Sequence, residues 1–372
     1  MKSLMTIVVP CYNEEAALPL FLEAIMPIRE ALADGTYCSE LMNLPSGEPS
    51  VTNTHGSALS SNTGNNAISF TPCDTELIFI DDGSKDSTLK LLREYHAQDS
   101  SVRYISFSRN FGKEAGIYAG LRAAKGDYVV LLDADLQHPV EFIPRMYCIL
   151  TGRADKLQST CDLNAAYAVE YDSDEKYDSV AMYRKNRGKS GRIRAFFSKR
   201  FFRAMNKLSK INLIDGATDY RMMSRRMVDS ILEMQEYNRF TKGIFNWVGF
   251  NTFWLPYEDV ERCAGTSKWS FGALLRYGFE GMFAFSTTPL TISFTLGVIL
   301  CVLALIYAII TVIKTLVWGN PVAGYPSLFT MILLLGGIQL LFLGLMGQYM
   351  SRMYMEVKHR PVYIARETSE DD

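Results

Sequence analysis

Residues 128–137 read YVVLLDADLQ, a short apolar run that ends in two aspartates. Such a run, rich in β-branched residues and bounded by polar ones, is typical of a strand buried within a parallel sheet. Asp133 and Asp135 follow the strand at positions i and i+2, at the edge where α/β sheets bind their ligands. Their oxygens suit a hard divalent cation, Mg²⁺ or Mn²⁺, whose coordination substrate phosphates would complete. The stretch therefore predicts an α/β sheet with a metal site at one strand end.

Two further apolar runs predict strands at residues 5–10 (MTIVVP) and 76–81 (ELIFID), and polar turn residues follow each of them. Acidic residues at a strand end also occur in solvated turns, and Ser84 or Asp86 would serve as a helix N-cap in either case. Three polar strand ends on one edge of a sheet nevertheless make a coherent site. Helical spacing at residues 14–33, 88–96 and 113–124 completes the pattern of a doubly wound α/β sheet with helices on both faces.

Two polar stretches interrupt this pattern, at residues 35–74 and 151–178. Neither shows a hydrophobic period, so both are predicted to be surface insertions of a domain that spans residues 1–267. Further along the chain we predict a basic helical segment, a loop and a helix at residues 184–209, 214–220 and 222–234.

The overall composition argues against several classes of function. The 372 residues carry a formal net charge of −2, which does not favour an electrostatic nucleic-acid binder. The seven cysteines show neither CxxC nor Cys/His spacing, so they indicate reduced thiols rather than a disulfide framework or a zinc site. The chain is therefore expected to work without nucleic acid, with its thiols facing the cytosol.

Two long uncharged runs lie near the C-terminus, at residues 281–313 and 315–351. Each exceeds the ~20 apolar residues that cross a hydrocarbon core, so we expect transmembrane helices at residues 289–314 and 326–350. A buried core helix is the alternative for one such run, but a soluble domain rarely needs two in tandem. The C-terminal part therefore predicts a two-helix membrane hairpin.

The basic residues near these runs set the expected orientation. Four of them follow the second run, whereas the loop between the runs holds only Lys314. The positive-inside rule then places both termini, the 1–267 domain and a tail at residues 351–372 in the cytoplasm, with the hairpin in the inner (plasma) membrane. Glycines of the second run would permit close helix packing in a homo-oligomer: Gly336, Gly337, Gly344 and Gly347.

Residues 268–288 place apolar side chains at three- and four-residue spacing. This is the pattern of an amphipathic helix that lies in the membrane interface just before the first span. A surface helix of the globular domain would show the same pattern. The adjacent span favours the interfacial interpretation, because the apolar face needs a nearby apolar phase.

Four motifs carry a family resemblance: PCYNEE at residues 10–15, IDDGSKDST at 80–88, SRNFGKEAGIYAGL at 108–121 and LLDADLQHP at 131–139. Together with GATDYRMMSRR at 216–226 and the C-terminal hairpin, they make the chain resemble family 2 polyprenyl-phosphate glycosyltransferases. That group includes bactoprenol glucosyltransferases and dolichol-phosphate mannosyltransferase. The resemblance covers almost everything outside the two insertions and implies the GT-A fold, with a mixed sheet.

The resemblance also implies roles for individual residues. A nucleotide-sugar donor would contact Pro10, Tyr12, Glu14, Asp81, Asp82, Lys113, Asp133 and Ala134. A metal would be held by Asp133, Asp135 and Gln137. Acceptor and other phosphate groups would neighbour Arg184, Arg187, Arg239 and Lys268. Arginine presents a planar fork to phosphate oxygens, although a solvated basic face explains the first two arginines equally well.

Asp219 matches an acidic residue of the family's GDFR-like motif and is implied, with Asp135, to be catalytic. A general base is the usual proposal for an inverting transfer. A phosphate acceptor, with a second pKa of about 6, needs little deprotonation at neutral pH. Asp219 is therefore expected to be a base or to orient the acceptor, and a structural pair with Arg221 is the alternative. Thr218 stands where the motif often has glycine, so the local backbone is expected to differ.

The expected reaction is an inverting transfer of a sugar to undecaprenyl or another polyprenyl phosphate at the cytoplasmic membrane face. The resemblance favours UDP-glucose as donor, with GDP-mannose, UDP-GlcNAc or an aminoarabinose donor as alternatives. Two other functions are transfer to a lipid hydroxyl such as that of diacylglycerol, and a nucleotide-binding membrane scaffold without catalysis. The QxxRW segment typical of processive relatives is missing, because residues 235–240 read QEYNRF. One transfer per acceptor is therefore expected.

Overall fold

The computed structural model describes residues 2–38, 67–152, 175–184, 216–257, 288–318 and 324–370. In chain order its elements are β1 (Ser3–Cys11), α1 (Ala17–Asp34), β2 (Thr36–Cys38), β3 (Ala67–Ser69), β4 (Cys73–Asp81), α2 (Thr88–Gln98), β5 (Val102–Phe107), α3 (Lys113–Ala123), β6 (Tyr128–Leu131), α4 (Phe142–Leu150), β7 (Ser179–Arg184), β8 (Ala217–Ser224), α5 (Arg225–Glu233), α6 (Thr241–Trp247), β9 (Thr252–Tyr257), α7 (Thr288–Trp318), α8 (Tyr325–Val357) and β10 (Ala365–Thr368).

A mixed sheet of eight strands organises the domain, in the order β10-β5-β4-β1-β6-β8-β7-β9. Its centre is parallel, since β4 and β6 flank β1 and β5 continues the parallel set beside β4. β8 runs antiparallel to β6 and β7, and β10 runs antiparallel to β5. Parallel neighbours need crossover connections, which place helices against the faces of the sheet. The predicted α/β mixed sheet is confirmed.

Side chains of the central strands divide between two cores, one on each face of the sheet. In β1, Ile7 and Val9 are buried with residues of α1 and α4, whereas Val8 is buried with residues of α3 and α5. In β4, Leu77 belongs to the first core and Ile78 to the second. Successive side chains of a strand point to opposite faces, so an unbroken apolar run supplies both cores. Helices cover both faces, as predicted.

The contact between α3 and β1 is closest at Gly120. A Cβ placed there would lie 2.1 Å from Cγ1 of Val8, which is too close for two carbon atoms that are not bonded to each other. One turn earlier, a Cβ on Gly116 would lie 3.4 Å from Cβ of Pro10, an ordinary van der Waals distance. Of these two glycines, only Gly120 is required for the close packing of helix on strand.

β8 replaces most of the loop predicted at residues 214–220 and the first three residues of the helix predicted at 222–234, whose remaining part is confirmed as α5. The strand pairs with β6, so that Arg221 lies opposite Leu131, and most of its residues are buried. A strand buried on both faces lacks the polar alternation that marks a half-exposed strand, and its sequence therefore does not distinguish it from other buried segments. Ser224 then caps α5 by accepting a hydrogen bond from the backbone N–H of Met227.

Regular structure extends into the first predicted insertion. β2 and β3 form a two-stranded antiparallel pair, and β4 begins at Cys73. The prediction of an irregular insertion at residues 35–74 is therefore wrong at both ends of that range. Gly35 ends α1 in the left-handed conformation, with φ 70°, which suits glycine. The rest of the two insertions, at residues 39–66 and 153–174, lies outside the described residues, as do residues 185–215 and 258–287.

The C-terminal residues, predicted to be a separate tail at 351–372, contribute to the sheet. α8 continues to Val357, and β10 then pairs with the edge strand β5, with Thr368 opposite Ile105. Nε of Arg93 donates a hydrogen bond to Glu367 at 2.7 Å, so a charged contact reinforces the pairing. The folded domain therefore includes chain from both sides of the two long helices.

α7 and α8 occupy the two uncharged runs in which helices were predicted at residues 289–314 and 326–350. They extend beyond those limits, to 31 and 33 residues. Across the part of the chain that the structure describes, no helix combines the length and the hydropathy needed to cross a membrane. Insertion of this pair into a bilayer stays a prediction.

Replacing Gly120 by alanine should destabilise the protein by about 1–3 kcal/mol, because the added methyl group would force α3 away from β1. Gly116→Ala is the matched control, one turn away on the same helix. It should be neutral or stabilise the protein by up to about 1 kcal/mol through the higher helix propensity of alanine. Thermal unfolding of both purified variants, followed by circular dichroism, measures the difference, and equal melting temperatures would contradict this packing.

Candidate active site

The carboxyl ends of β1, β4 and β6 meet at one edge of the sheet. Cys11, at the end of β1, lies opposite Asp81 at the end of β4, and Val8 of β1 lies opposite Leu131 of β6. Asp133 follows β6 by two residues and therefore lies at the same edge as Asp81. The polar residues that the sequence places after three separate strands thus share one region of the molecule.

Hydrogen bonds join the loop after β1 to the loop after β4. The backbone N–H of Asn13 donates to Oγ of Ser84 at 2.9 Å, and Oδ1 of Asn13 accepts from the backbone N–H of Lys85 at 2.8 Å. The backbone N–H of Glu14 donates to Oγ1 of Thr88 at 2.9 Å. Asn13 has a positive φ of 55°, a conformation that asparagine adopts more readily than most residues. The two loops are therefore held together as one unit at this edge of the sheet.

Asp81, the last residue of β4, is buried, with 1% of its surface exposed. Its Oδ1 accepts a hydrogen bond from the backbone N–H of Ser84 at 2.9 Å, and its Oδ2 accepts one from Oγ of Ser106 at 2.7 Å. Both carboxylate oxygens therefore hold the turn that follows β4. The donor contact predicted for Asp81 stays a prediction beside this structural role.

Asp82 fixes the start of α3. Its Oδ1 accepts the backbone N–H of Phe111 at 2.6 Å, and its Oδ2 accepts that of Gly112 at 2.9 Å. Burial raises the pKa of the Asp82 carboxyl, and these two hydrogen bonds oppose the increase. Gly83 permits the arrangement, because its φ is 67° and a Cβ there would lie 2.6 Å from the carbonyl carbon of Arg109. The turn after β4 thereby sets the position of Lys113.

Lys113 joins two carboxylates that come from different strands. Its ammonium nitrogen lies 2.7 Å from Oδ1 of Asp133 and 2.9 Å from Oδ2 of Asp219. Asp219 lies on β8, which pairs with β6 and thereby brings the carboxylate beside Asp133. On the far side of Asp219, Nζ of Lys242 lies 3.9 Å from Oδ1. The site is thus a compact cluster of alternating charges.

These neighbours decide the ionisation of the cluster. Burial alone would raise the pKa of the Asp219 carboxyl, but the ammonium groups of Lys113 and Lys242 outweigh it and hold that pKa well below its usual range. Loss of water around the ammonium nitrogen of Lys113 would likewise lower its pKa, but Asp133 and Asp219 raise it above the usual value for lysine. Asp219 and Lys113 are therefore both charged at neutral pH, and Asp219 is a weak base.

The chemistry of the donor atoms after β6 fits a divalent cation shared with a phosphate ligand. Asp133 already binds a cation, the ammonium group of Lys113, through both oxygens, at 2.7 and 2.8 Å. Oδ1 of Asp135 accepts the backbone N–H of Gln137 at 3.2 Å across a turn in which Leu136 has a φ of 52°. Among the described residues, no group of three Asp, Glu, His or Cys side chains surrounds one point. Phosphate oxygens and water would complete the shell, as is usual for Mg²⁺.

The remaining predicted residues divide into three groups. Pro10, Tyr12 and Glu14 are partly exposed at the end of β1 and in the loop after it, whereas Ala134 is buried. Arg184 lies at the end of β7, where its Nε donates to the hydroxyl of Tyr257 at 3.1 Å. Arg187 and Lys268 lie outside the described residues.

Arg239 is buried, in contrast to a typical phosphate-binding arginine. Its guanidinium donates to the backbone carbonyls of Met234 and Ile231, at the end of α5, and lies 4.5 Å from the centre of the Tyr118 ring. Its predicted contact with phosphate is untested, and these bonds give it a structural role. Arg221 is buried too, stacked 3.7 Å over the ring of Phe245, whereas the salt bridges of Asp219 among the described residues go to Lys113 and Lys242.

His138 is a site residue that the sequence did not single out. It follows Gln137, is 4% exposed, and lies between the rings of Tyr220 and Tyr257 at centroid distances of 5.4 and 5.6 Å. Burial lowers its pKa, and neither ring nitrogen has a hydrogen-bond partner among the residues that the structure describes. Its place directly after DADLQ was a signal, but its burial depends on strands that are distant in the chain.

A second omission is Glu114, which follows Lys113 in the chain. Its Oε2 accepts the backbone N–H of Thr241 at 2.9 Å and also the hydroxyl of Thr241. Glu114 therefore fixes the first residue of α6, and the next residue of that helix is Lys242. The contact joins residues 127 positions apart in the chain, which a single sequence does not reveal.

Lys113→Met should destabilise the protein by about 1–2 kcal/mol at neutral pH, because the carboxylates of Asp133 and Asp219 would face each other without a cation. The loss is small for an ion pair of this kind because the Lys113 side chain is 44% exposed and solvent screens its charge. The loss should shrink at acidic pH, because Asp219, whose pKa Lys113 no longer depresses, then gains a proton and the repulsion is relieved. Melting temperatures of variant and wild type at two pH values measure it.

The wild-type protein itself loses stability in acid. The depressed pKa of Asp219 stabilises the fold at pH values above about 4, and that stabilisation is lost as the pH falls further. Lys125→Met is the control, since it removes an exposed contact of 2.9 Å with Glu370. It should cost at most about 0.5 kcal/mol, at every pH tested. An equal and pH-independent loss in both variants would contradict the coupling of Lys113 to the two aspartates.

Comparison with known proteins gives one matching family model and several relatives. The model of the family described as Glycosyl transferase family 2 matches residues 48–232, a range that includes Lys113, Asp133 and Asp219. A bactoprenol glucosyl transferase of Shigella phage SfV is 34% identical over 362 residues, which cover 97% of this chain and 98% of that protein. The prophage bactoprenol glucosyl transferase homolog of Escherichia coli (strain K12) is 33% identical, with the same two coverages. The protein named "Putative glycosyltransferase CsbB" of Bacillus subtilis (strain 168) is 40% identical over 296 residues, 80% of this chain and 83% of that protein.

Proposed function

This chain belongs to glycosyltransferase family 2, and we propose that it transfers a sugar from a nucleotide-diphosphate sugar to a polyprenyl phosphate, inverting the anomeric carbon. The observation that carries the proposal is the ammonium group of Lys113 held between Asp133 and Asp219 at the sheet edge. Relatives matched over nearly their full length are named bactoprenol glucosyl transferases, which supports a polyprenyl acceptor and glucose as the sugar. UDP-glucose is the donor to test first.

The donor is proposed to lie across the carboxyl ends of β1, β4 and β6, with its diphosphate beside Asp133 and Asp135. Mg²⁺ or Mn²⁺, when bound to these carboxylates, supplies charge neutralisation for the nucleotide diphosphate that leaves. Lys113 adds a fixed positive charge at the same place. Asp82 supports this role by holding the start of α3, and hence Lys113, in position.

Asp219 is proposed to orient the acceptor phosphate through its lysines rather than to remove a proton. An efficient general base has a pKa near the working pH, whereas that of Asp219 is held far below it. The acceptor phosphate, with a second pKa of about 6, already carries the negative charge that attacks the sugar. Lys113 and Lys242, which both pair with Asp219, offer two ammonium groups to that phosphate. A hydroxyl acceptor such as diacylglycerol would need a stronger base.

Attachment to the inner membrane, with the catalytic domain in the cytoplasm, is part of the proposal. Its support is the pair of uncharged runs together with large apolar side chains exposed along both helices, such as Phe294 (74%), Leu316 (81%) and Leu340 (71%). Soluble proteins rarely expose a contiguous apolar surface of this kind, and in a membrane lipid would cover these side chains. Such an anchor would hold the site near a lipid-linked acceptor.

A reconstituted assay tests the proposal. Purified full-length protein is incubated with undecaprenyl phosphate or diacylglycerol, Mg²⁺ or Mn²⁺, and one of several nucleotide sugars, and the lipids are analysed by mass spectrometry. We expect undecaprenyl phosphate to gain one hexose from UDP-glucose. Asp135→Asn should lower the rate at least about 100-fold, whereas the exposed Asp229→Asn, outside the site, should stay within about 2-fold of wild type. No lipid product from any donor, or product on diacylglycerol alone, would overturn the proposal.

The dependence of kcat/KM on pH distinguishes an orienting Asp219 from a base. The rate should fall below a pH of about 6, where the acceptor phosphate gains a proton. Asp219→Asn should lower the rate about 10- to 100-fold and yet keep this acid limb, because the limb belongs to the acceptor. Initial rates at saturating donor across about pH 5 to 8.5 provide the test. Loss of the limb in the variant would identify Asp219 as the base.

A further inference from the structure

Glu356, in the last turn of α8, makes direct contact with the catalytic domain. Its two carboxylate oxygens each accept the backbone N–H of Tyr237 at 3.0 Å, and Oε1 also accepts that of Asn238 at 3.3 Å. Hydrogen bonds to an ionised carboxylate are stronger than those between neutral groups. One side chain of a long apolar helix thus holds two consecutive backbone groups of the loop that joins α5 to α6.

That loop has little freedom on its other sides. Arg239, two residues after Tyr237, donates to the carbonyls of Met234 and Ile231 and lies over the ring of Tyr118 on α3. The loop therefore contacts the end of α5, the middle of α3 and the end of α8. A displacement of Glu356 would be transmitted to the chain that follows, since each neighbouring contact is a packed or hydrogen-bonded one.

The chain that follows is α6, and its second residue is Lys242. Glu114, next to Lys113, holds Thr241 at the start of that helix. Nζ of Lys242 then lies 3.3 Å from the carbonyl oxygen of Ala217 and 3.9 Å from Oδ1 of Asp219. Lys242 lies five positions after Tyr237, the partner of Glu356, so one short segment of chain connects the end of α8 with the charged cluster.

A second contact keeps the end of α8 in register with the domain. The ring of Tyr363 stacks on that of Phe107 at a centroid distance of 4.9 Å, and the backbone N–H of Ser108 donates to the carbonyl of Ile364 at 3.0 Å. β10 then continues the pairing along β5. The chain is therefore attached to the domain both immediately before and shortly after the end of the helix.

We propose that Glu356 is a positioning residue for sugar transfer, which sets Lys242 and Asp219 relative to α8 and thereby to the bound lipid phosphate. The inference rests on the proposed function, because it needs an acceptor that is held with α8. It assigns no proton transfer to Glu356. A side chain of this length with an accepting oxygen is required at this place, because it reaches the backbone N–H groups of Tyr237 and Asn238, which a shorter side chain would not reach.

Glu356→Ala is expected to lower kcat/KM for undecaprenyl phosphate about 10- to 30-fold, while the Kd of the nucleotide stays within about 2-fold of wild type. Glu356→Gln keeps one accepting oxygen and should recover activity to within about 3-fold of wild type. Glu356→Asp keeps the charge but withdraws it by one methylene, and should show the same acceptor-specific loss as alanine. If Glu356→Ala does not fold, Glu356→Asp provides the test in its place.

Glu367→Ala is the matched control. It removes a carboxylate of the C-terminal strand that pairs with Arg93, and it does not touch the loop at residues 234–240. It is expected to lower the melting temperature without changing kcat/KM for the acceptor by more than about 2-fold. An acceptor-specific loss as large as that of Glu356→Ala would overturn the proposal, because general weakening of the C-terminal attachment would then explain both.

A double-mutant cycle tests the path through Lys242. If Glu356 acts through this lysine, the loss in Lys242→Met combined with Glu356→Ala should equal that of Lys242→Met alone, within about 2-fold. Multiplied losses would show that the two residues act independently and would overturn the proposal. Wild-type protein that makes no lipid product would instead defeat the proposed function. Active wild type with an unaffected Glu356→Ala variant would defeat this inference alone.

Discussion

The ammonium group of Lys113 is the interaction on which the site depends, because it lets two carboxylates from different strands occupy one edge of the sheet. Asp133 and Asp219 would repel each other at this separation if no cation lay between them. The contact also joins the parallel half of the sheet, which ends in Asp133, to the antiparallel strand β8. Asp82 secures it from behind by binding the two backbone N–H groups that precede Lys113. The same contacts of Lys113 therefore both join the strands and balance the charges of the two carboxylates.

Features determined by neighbouring residues were accessible from the sequence. The apolar runs ending in Asp81 and Asp133 predicted two central strands and their common edge, since strand burial and turn chemistry are local properties. β8 was not predicted, because a strand buried on both faces carries no alternation. The contacts of His138, Glu114 and Glu356 escaped for a different reason: each depends on a partner more than about 80 positions away, which only the folded chain brings near.

The electrostatics favour transfer by fixed charges over transfer by proton removal. A carboxylate whose pKa is depressed by two lysines is stable as an anion and has little tendency to accept a proton. The same lysines are suited to a phosphate, which would share them with Asp219. A phosphate acceptor of the proposed kind would arrive already charged, so the site would need only to hold and align it, and packing can supply that geometry.

Under the proposed function, alignment of the acceptor gives a reason for the return of the C-terminal segment to the domain. An exposed edge at β5 would be a hazard for association between chains, and β10 covers it. Covering alone would need only a short strand, yet the same segment stacks Tyr363 on Phe107 and follows a helix whose Glu356 binds the loop before Lys242. Two attachments on either side of the end of α8 restrict both its distance from the domain and its rotation. A single attachment would leave that rotation free, and Lys242 would not keep a constant position relative to a lipid held beside the helix.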